Sequence, residues 1–404
     1  MRYKKDKLTF DNFNVDFLGK KFQTPLYCYS IKRLEKNILT FQNYFKKFNP
    51  LICFAVKSNP NLSILKEIKK FDLGADVVSV GELMKALKAG INPLKIVFSG
   101  VGKTTAEIEY AIKKRILLIN TESKSEILEI EKIAKRKKKV VNIGIRLNPN
   151  TDAKTIDQIS TGKKENKFGV DKKIFLELVA YLKKSKYLNL KCLSVHIGSQ
   201  ILNHKPYQKM LTVVDQIIKK SNHKFEYIDL GGGMGIDYNH DKKILDFKKY
   251  SLNIEKFLKK NKSKIIFEPG RSIIGNTAIL ISKIIYIKKG HKKDFVIIDA
   301  AMNDLMRPAL YNAQHKIITT RKSKKISNKS YEFVGPICES TDKFATLNRF
   351  QKLKEKDYVV ICDVGAYGFS LSSNYNLRPK PAEIWIQKSK IRIINKRQKI
   401  SELV

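Results

Sequence analysis

Residues 50–271 alternate between short β-branched runs and longer amphipathic runs, and this rhythm restricts the fold more than any other feature. Strands that alternate with helices of roughly 10–15 residues indicate βαβ units in a parallel sheet. Eight such units predict a (β/α)8 TIM barrel, whereas a doubly wound sheet, the alternative, would usually carry fewer strands. The predicted strands are Ile52–Lys57, Ala75–Val80, Ile96–Ser99, Leu117–Asn120, Val141–Leu147, Cys192–Ile197, Tyr227–Leu230 and Ile265–Glu268, and the predicted helices include Leu62–Phe71, Gly81–Ala89, Ser123–Arg136, Lys172–Lys184 and Tyr207–Lys219.

The rhythm changes after Arg271, where strand-like runs continue with little helical pattern between them. This change predicts a second, mostly antiparallel β domain. Its runs are Ile279–Ile287, Phe295–Ile298, Lys316–Thr320, Tyr331–Val334, Tyr358–Cys362 and Ile391–Ile394. We therefore expect an N-terminal segment at 1–28 that joins the β domain, a barrel at 29–272 and the β domain at 273–404.

The net charge of +42 raises the alternative of a nucleic-acid-binding protein. The lysines are spread over presumptive helix surfaces and loops, as in 135–139, 183–186 and 259–264, rather than gathered in a tail or an aromatic stripe. Such runs are usually solvated faces, and no nucleic-acid-binding motif accompanies them. We expect no specific nucleic-acid partner, and any low-salt gel shift should disappear near physiological salt.

Several other classes are excluded by simple counts. No uncharged apolar run is long enough to span a membrane, and the charged start MRYKKDKLTFDNF has no apolar signal region. The five cysteines lack CxxC spacing, which argues against a disulfide framework or a zinc site. We expect a cytoplasmic protein with no membrane partner and no metal.

Polar residues stand where the predicted barrel strands end, and active sites of such barrels are built at these carboxyl ends. The first strand leads to Lys57, the sixth to His196, the seventh to Gly231–Gly233 and the eighth to Glu268–Arg271. A desolvated lysine favours carbonyl chemistry, and glycine backbone after the seventh strand can bind a phosphate. Together these residues predict a pyridoxal phosphate site.

Each of these residues also has an ordinary structural explanation. A lysine that ends a strand is usually just exposed, a single histidine such as His196 is usually a core residue, and a glycine triplet can be only a tight turn. The prediction therefore depends on all of them pointing into one barrel mouth.

The chain resembles the diaminopimelate decarboxylases, fold-type III pyridoxal phosphate enzymes with the alanine racemase architecture. The resemblance covers about residues 20–386 and rests on motifs in matching order and spacing. These motifs are AVKSNPN, GADVVSVGEL, RLNP, KFGV, SVHIGSQ, DLGGGMGI, EPGR, MRPALYNA, VGPICESTD and DVGAYGFSLSSNYNLRPKPAE.

The resemblance implies a role for each residue of the cofactor site. Lys57 would form the Schiff base with pyridoxal 5'-phosphate, and His196 would stack on its ring. Glu268 would pair with the ring nitrogen, where a carboxylate favours the protonated pyridinium that decarboxylation needs; racemases of this fold have an arginine there. The phosphate would be held by Gly231, Gly232, Gly233, the backbone of Pro269, Gly270 and Arg271, and the hydroxyl of Tyr367.

The resemblance also implies the substrate site. Cys338 would protonate the α-carbon after CO2 leaves meso-2,6-diaminopimelate, giving L-lysine in the last step of its biosynthesis. The other four cysteines lie in apolar runs and are expected to be small core residues. The distal carboxylate would be bound by Arg271, Arg307 and Tyr311, and the distal ammonium by Glu339, with Tyr367 alongside.

Three alternatives remain beside this interpretation. Ornithine, arginine and carboxynorspermidine decarboxylases share the fold, but the first two have no distal carboxylate for Arg307 to bind. A non-catalytic pyridoxal phosphate carrier would end after the barrel, and the nucleic-acid binder is described above. The resemblance further implies a homodimer with shared active sites, in which Lys57 and Cys338 of one chain serve different sites.

Overall fold

A computed structural model describes residues 1–153, 161–162 and 166–404. The chain forms two compact units. The first, here called the β unit, contains residues 1–37, 237–242 and 274–404. The second, the barrel unit, contains residues 38–236 and 243–273.

The N-terminal residues form small elements that pack into the β unit. Three short strands make an antiparallel sheet in chain order, and a helix follows because the Asn14 side chain accepts a hydrogen bond from Phe17 N. Leu8, Phe10 and Leu18 are buried in one apolar cluster with Ile279 and Val360 of the C-terminal sheet. These elements are β1 (Arg2–Lys4), β2 (Lys7–Phe10), β3 (Phe13–Asn14), α1 (Val15–Phe22) and β4 (Leu26–Ser30).

The barrel unit contains a closed barrel of eight parallel strands, which confirms the predicted TIM barrel. The strands pair in chain order, and the last pairs with the first through Ile266 opposite Leu51. The strands are β5 (Leu51–Ala55), β6 (Gly74–Val77), β7 (Ile96–Phe98), β8 (Leu118–Thr121), β9 (Val141–Arg146), β10 (Leu188–Ser194), β11 (Tyr227–Asp229) and β12 (Lys264–Phe267).

The helices between these strands begin where the sequence supplies an N-cap. Ser79, Ser123 and Asp171 each accept a hydrogen bond from the first turn, and Thr104 forms a capping box with Glu107. The helices of this part of the chain are α2 (Ile31–Phe45), α3 (Leu62–Lys69), α4 (Val80–Lys88), α5 (Thr105–Lys114), α6 (Lys124–Arg136), α7 (Lys172–Leu182), α8 (Lys205–Ser221), α9 (Phe247–Leu258) and the short α10 (Arg271–Ile274).

The C-terminal residues form a mostly antiparallel sheet, as predicted. The long central strand β13 pairs antiparallel with β4, β14 and β18, while the β4–β19 and β14–β16 pairs are parallel. The elements are β13 (Ala278–Lys288), β14 (Lys293–Ile298), α11 (Arg307–Tyr311), β15 (Ile317–Thr319), β16 (Ser330–Val334), β17 (Lys343–Leu347), β18 (Tyr358–Cys362), β19 (Ala382–Gln387) and β20 (Lys390–Asn395).

The strand ends and a few strands differ from the sequence expectation. Strand β5 ends at Ala55, so Lys57 lies in the single helical turn Val56–Ser58 that follows it, and His196 lies two residues past β10. The prediction did not include β1 to β4, β17 or β19. KFATL contains a single β-branched residue, whereas AEIWIQ alternates isoleucine and tryptophan and carried a strand signal that was missed. No helix in the described part of the chain is apolar and long enough to cross a membrane.

Candidate active site

Lys57 forms an ion pair with an acidic residue that comes from the neighbouring strand. Its Nζ lies 3.0 Å from Oδ2 of Asp76, whose side chain is completely buried in β6. The Lys57 side chain is 41% exposed, so it is less desolvated than we expected from the sequence. The buried carboxylate therefore fixes the amine of a side chain that is still partly exposed.

His196 is held by the glycine loop that follows β11. Gly232 N donates a hydrogen bond of 3.1 Å to His196 Nδ1, so the ring carries its proton on Nε2 when neutral. Burial, together with the positive charges of Arg146 and Lys57, holds the pKa of His196 well below its usual range. The histidine is therefore a neutral ring at physiological pH, suited to stacking on a flat ligand.

The glycine triplet forms a loop with no room for side chains. A Cβ on Gly231 would lie 2.5 Å from His196 Nδ1, and one on Gly232 would lie 2.1 Å from the Glu268 carbonyl oxygen. Gly233 has a φ of +87°, and a Cβ there would lie 2.3 Å from the Gly198 carbonyl oxygen. The loop thus presents bare backbone at the position where such barrels commonly bind phosphate.

Glu268 lies in a buried acidic cluster with Asp229 and Asp76. Burial raises the pKa of Glu268 well above its usual range, and the charges of Asp229 and Asp76 raise it further. Asp229 is fixed by Gly231 N at 2.9 Å, Asn120 Nδ2 at 2.9 Å and Ser194 Oγ at 3.0 Å. A cationic group bound beside Glu268 would relieve this repulsion, as a protonated pyridine nitrogen does.

The turn after β12 packs against the end of β5, the first strand of the barrel. Pro269 O accepts a hydrogen bond of 3.2 Å from Ala55 N, and a Cβ on Gly270 would lie 2.9 Å from the Ser58 side chain. Arg271 is buried, and its Nη2 donates to Ser199 Oγ at 3.1 Å. These contacts place the Glu268–Arg271 turn next to the turn that carries Lys57.

The remaining predicted residues belong to the β unit. Arg307 begins α11 and is 5% exposed, and Tyr311 ends that helix partly buried. The Arg307 guanidinium lies 4.5 Å from the Tyr238 ring centre, and its Nη1 lies 2.7 Å from Nε2 of His315. A cavity of about 720 Å³ lies in this unit, and Tyr238, His315 and Ser340 line part of it.

Cys338 and Glu339 are exposed on the loop after β16. Asn376 Oδ1 accepts a hydrogen bond of 3.1 Å from Cys338 N, and the Tyr375 hydroxyl donates to Glu339. Tyr367 is partly buried with a φ of +57°. The other four cysteines are buried, and burial raises each thiol pKa, so they are inert core residues as expected.

Comparisons with known proteins agree with this arrangement. Residues 31–275 match the family model described as the pyridoxal binding domain of pyridoxal-dependent decarboxylases. The chain is 43% identical to a diaminopimelate decarboxylase of Helicobacter pylori, with 97% of each chain covered, and 41% identical to one of Neisseria meningitidis serogroup B, with 95% of this chain and 93% of the relative covered. A crystal structure of the Helicobacter pylori enzyme complexed with L-lysine superposes with a TM-score of 0.91 at 42% identity, covering 96% of this chain and 98% of that one.

The chain belongs to the diaminopimelate decarboxylase family. Its cofactor is accordingly pyridoxal 5'-phosphate. The residues present fit this cofactor. The Gly231–Gly233 loop offers bare backbone where a Cβ would collide with neighbouring atoms. Glu268 is buried beside the negative charges of Asp229 and Asp76, which a protonated ring nitrogen would offset. In this family member the two predicted sets of residues lie in different compact units, Lys57 to Arg271 in the barrel unit and Arg307 to Tyr367 in the β unit.

Several residues that shape the site were not predicted from the sequence. Asp76 and Asp229 form the acidic cluster with Glu268, and Asn120 and Ser194 hold Asp229. The available signal was an acidic residue within an apolar run, since Asp76 lies between Ala75 and Val77 and Asp229 lies between Ile228 and Leu230. His315, which contacts Arg307, had no signal beyond its place in the MRPALYNAQH segment.

Proposed function

We propose that the chain removes the carboxylate at one amino-acid centre of meso-2,6-diaminopimelate, releasing CO2 and forming L-lysine, as the last step of lysine synthesis. One proton replaces the lost carboxylate at the α-carbon, so the reaction balances without an oxidant or a reductant. The observation that carries this proposal is the buried carboxylate Glu268, next to Asp229 and on the barrel end that also presents Lys57. When bound, pyridoxal phosphate accepts the electron pair that the departing CO2 leaves behind.

The barrel residues would bind and orient the cofactor. Lys57 would attach it covalently through Nζ, the amine that Asp76 now fixes at 3.0 Å. His196, neutral and anchored on Gly232 N, would cover one ring face. Glu268 would hold a proton on the ring nitrogen. The phosphate would lie on the backbone of Gly231–Gly233 and 269–271, with the Tyr367 hydroxyl as a further donor.

The residues of the β unit would bind the substrate and complete the reaction. Cys338 Sγ, exposed where the other cysteines are buried, would deliver the proton to the α-carbon. Arg307, Arg271 and Tyr311 would bind the distal carboxylate, and Glu339 the distal ammonium. A guanidinium suits a carboxylate because its planar donors can form two parallel hydrogen bonds.

The assembly is proposed from the family resemblance. We infer a cytoplasmic homodimer in which Lys57 of one chain and Cys338 of the other serve one site. We also assign the functional domains as a cofactor-binding barrel at 29–272 and a β domain at 273–404 that 1–28 joins. The pairing of β4 with β13 and β19 supports placing the N-terminal segment with the β domain.

The test of the cofactor assignment is chemical. Borohydride reduction of the yellow holoenzyme should leave a pyridoxyl label on Lys57 alone, and Lys57→Ala should lose both the label and CO2 release. A conservative control is Lys70→Ala, because Lys70 is an exposed partner of Glu67 outside the site. A label on another lysine would overturn the assignment.

The test of the substrate is a panel of amino acids. meso-Diaminopimelate should exceed L-lysine and L-ornithine in kcat/KM by about a thousandfold or more, since the shorter compounds leave Arg307 facing no carboxylate. CO2 release is measured for each compound at equal enzyme concentration. Comparable kcat/KM for ornithine would refute the proposal and assign the enzyme to the polyamine branch.

A further inference from the structure

Arg307, His315 and Tyr238 form a compact buried group in the β unit. Their exposed fractions are 5%, 5% and 8%. Arg307 Nη1 lies 2.7 Å from His315 Nε2, and the guanidinium lies 4.5 Å from the centre of the Tyr238 ring. The His315 ring meets the Tyr238 ring edge-on, with centres 5.0 Å apart and planes at 74°. Each member therefore contacts the other two.

Two contacts define the protonation of His315. A guanidinium only donates hydrogen bonds, so His315 Nε2 must accept and carries no proton. On the other side of the ring, His315 Nδ1 lies 2.8 Å from the Cys362 carbonyl oxygen, which only accepts, so Nδ1 must carry the proton. Both contacts select the same neutral tautomer, and a doubly protonated ring would place a second cation against Arg307.

We propose that His315 is a positioning residue that aims the Arg307 guanidinium at the distal carboxylate of the substrate. This inference rests on the proposed function, in which Arg307 binds that carboxylate. The backbone carbonyl of Cys362, at the end of β18, fixes the imidazole, and the imidazole fixes Nη1 of Arg307. The neutral ring orients the guanidinium without neutralising its charge.

The advantage of this arrangement is a preorganised cation. An arginine side chain has several rotatable bonds, and holding it in advance lowers the entropy lost when the ligand binds. The Tyr238 ring contacts the Arg307 guanidinium, and His315 holds its Nη1 nitrogen through a hydrogen bond. Both contacts limit the movement of the guanidinium. A carboxylate is bound best by a planar guanidinium that is already held in place.

The kinetic test compares four variants of the full-length holoenzyme. His315→Leu should raise KM for meso-diaminopimelate about tenfold while kcat changes by less than about threefold, because the decarboxylated centre lies at the other end of the substrate. His315→Gln, whose amide oxygen can accept at the Nε2 position, should recover most of the affinity. In the Arg307→Met background, His315→Leu should have no further effect, since His315 acts only through Arg307.

His223 provides the matched control. It is a partly buried histidine whose ring likewise contacts a backbone carbonyl, with Nε2 3.0 Å from Leu190 O, but it lies in the barrel unit whereas Arg307 lies in the β unit. His223→Leu should leave KM unchanged. A rise in KM equal to that of His315→Leu would overturn the positioning role, because any loss of a buried histidine would then have the same effect.

A spectroscopic measurement gives the tautomer in the wild-type protein directly, and His315→Gln serves only to assign the signal. Nitrogen-15 labelling of the six histidines should show one ring with the proton on Nδ1 that loses its signal pattern in His315→Gln. A proton on Nε2 of His315 would overturn the inference. If Arg307→Met leaves KM unchanged, both the proposed substrate site and this inference fail; if Arg307→Met raises KM and His315→Leu does not, only this inference fails.

Discussion

At Gly232 the space for a side chain is already filled by backbone. A Cβ there would lie 2.1 Å from the Glu268 carbonyl oxygen, and that carbonyl belongs to the turn that also carries Pro269 and Gly270. We predict that Gly232→Ala displaces this turn and lowers cofactor retention at least about tenfold, with a Tm loss of several degrees. Retained cofactor is measured by absorbance after dialysis, alongside thermal unfolding.

Gly81 is the matched control for that substitution. It lies in helix α4, and the nearest atom to a Cβ there is Ser79 Oγ at 3.8 Å. Because alanine is favoured over glycine inside helices by about 1 kcal/mol, Gly81→Ala should retain cofactor and unfold at the same or a slightly higher temperature. Equal cofactor loss in both variants would contradict the steric argument.

Asp304 is a buried carboxyl group whose pKa is raised to about 7, mainly by burial. Its Oδ2 accepts from Ala301 N at 2.9 Å. The unfolded group titrates near pH 4, so the folded state binds the extra proton, and the stability that this proton contributes is lost as the pH rises from about 4 through about 7. Asp304→Asn keeps an acceptor but cannot ionise.

We therefore predict that the Tm of Asp304→Asn, relative to wild type, is higher at pH 8 than at pH 5 by roughly 5 °C. Thermal unfolding of the two proteins at both pH values measures this difference. Glu177→Gln, a change at an exposed position of α7, should show no such difference. A constant Tm gap for Asp304→Asn across the pH range would exclude Asp304 as the titrating group.

At the scale of elements, the buried ion pair of Lys103 and Glu126 joins two consecutive βα segments. The lysine Nζ, on a side chain only 1% exposed, donates to Gly100 O at 2.6 Å, Asn120 O at 2.7 Å and Glu126 Oε1 at 2.6 Å. Gly100 follows β7, Asn120 lies in β8, and Glu126 lies in the first turn of α6. One ammonium group thus links the loop after β7 to strand β8 and helix α6.

Lys103→Met should lower the free energy of unfolding by about 3–5 kcal/mol, because it leaves the Glu126 carboxylate buried without its counter-charge. The exposed pair of Lys47 and Glu255, whose side chains are 43% and 38% exposed, is the comparison. Lys47→Met should cost less than about 1 kcal/mol. Urea unfolding measures both, and similar losses for the two variants would show that burial does not decide the strength of these pairs.

At the scale of the whole molecule, the proposed shared site predicts complementation between two inactive variants. Lys57→Ala and Cys338→Ala should each be nearly inactive. After reversible dissociation and mixing, half of the dimers should be mixed, each with one intact site and one doubly altered site, so activity should recover to roughly a quarter of wild type. Steady-state CO2 release before and after mixing measures the recovery.

A second mixture separates this explanation from an effect of the treatment itself. Lys57 and His196 both belong to the barrel unit, so mixing Lys57→Ala with His196→Ala leaves one altered residue in every site. That mixture should stay inactive. If the Lys57 and Cys338 variants also stay inactive despite proven subunit exchange, the shared site is wrong while the chemistry of each site is unaffected.

The sequence by itself determined the architecture and the family. Strand and helix periods reflect local side-chain spacing, so alternating runs over 50–271 predicted the barrel, and the ordered motifs identified the decarboxylase family. Local patterns gave strand positions but not their ends, because Lys57 follows its strand in a helical turn and His196 follows its strand in an irregular segment, and both depend on contacts with neighbouring chain segments. The site residues themselves remain predictions for mutagenesis.

Only the tertiary structure decided which groups surround those residues. Asp76 and Asp229 lie in two different strands and Glu268 directly follows a third, and their mutual repulsion exists only because the closed barrel buries them together. The tautomer of His315 likewise depends on a carbonyl 47 residues further along the chain. Local sequence carries the periodicity that builds elements, whereas pKa values and hydrogen-bond partners arise from distances between elements, which exist only once the chain has folded.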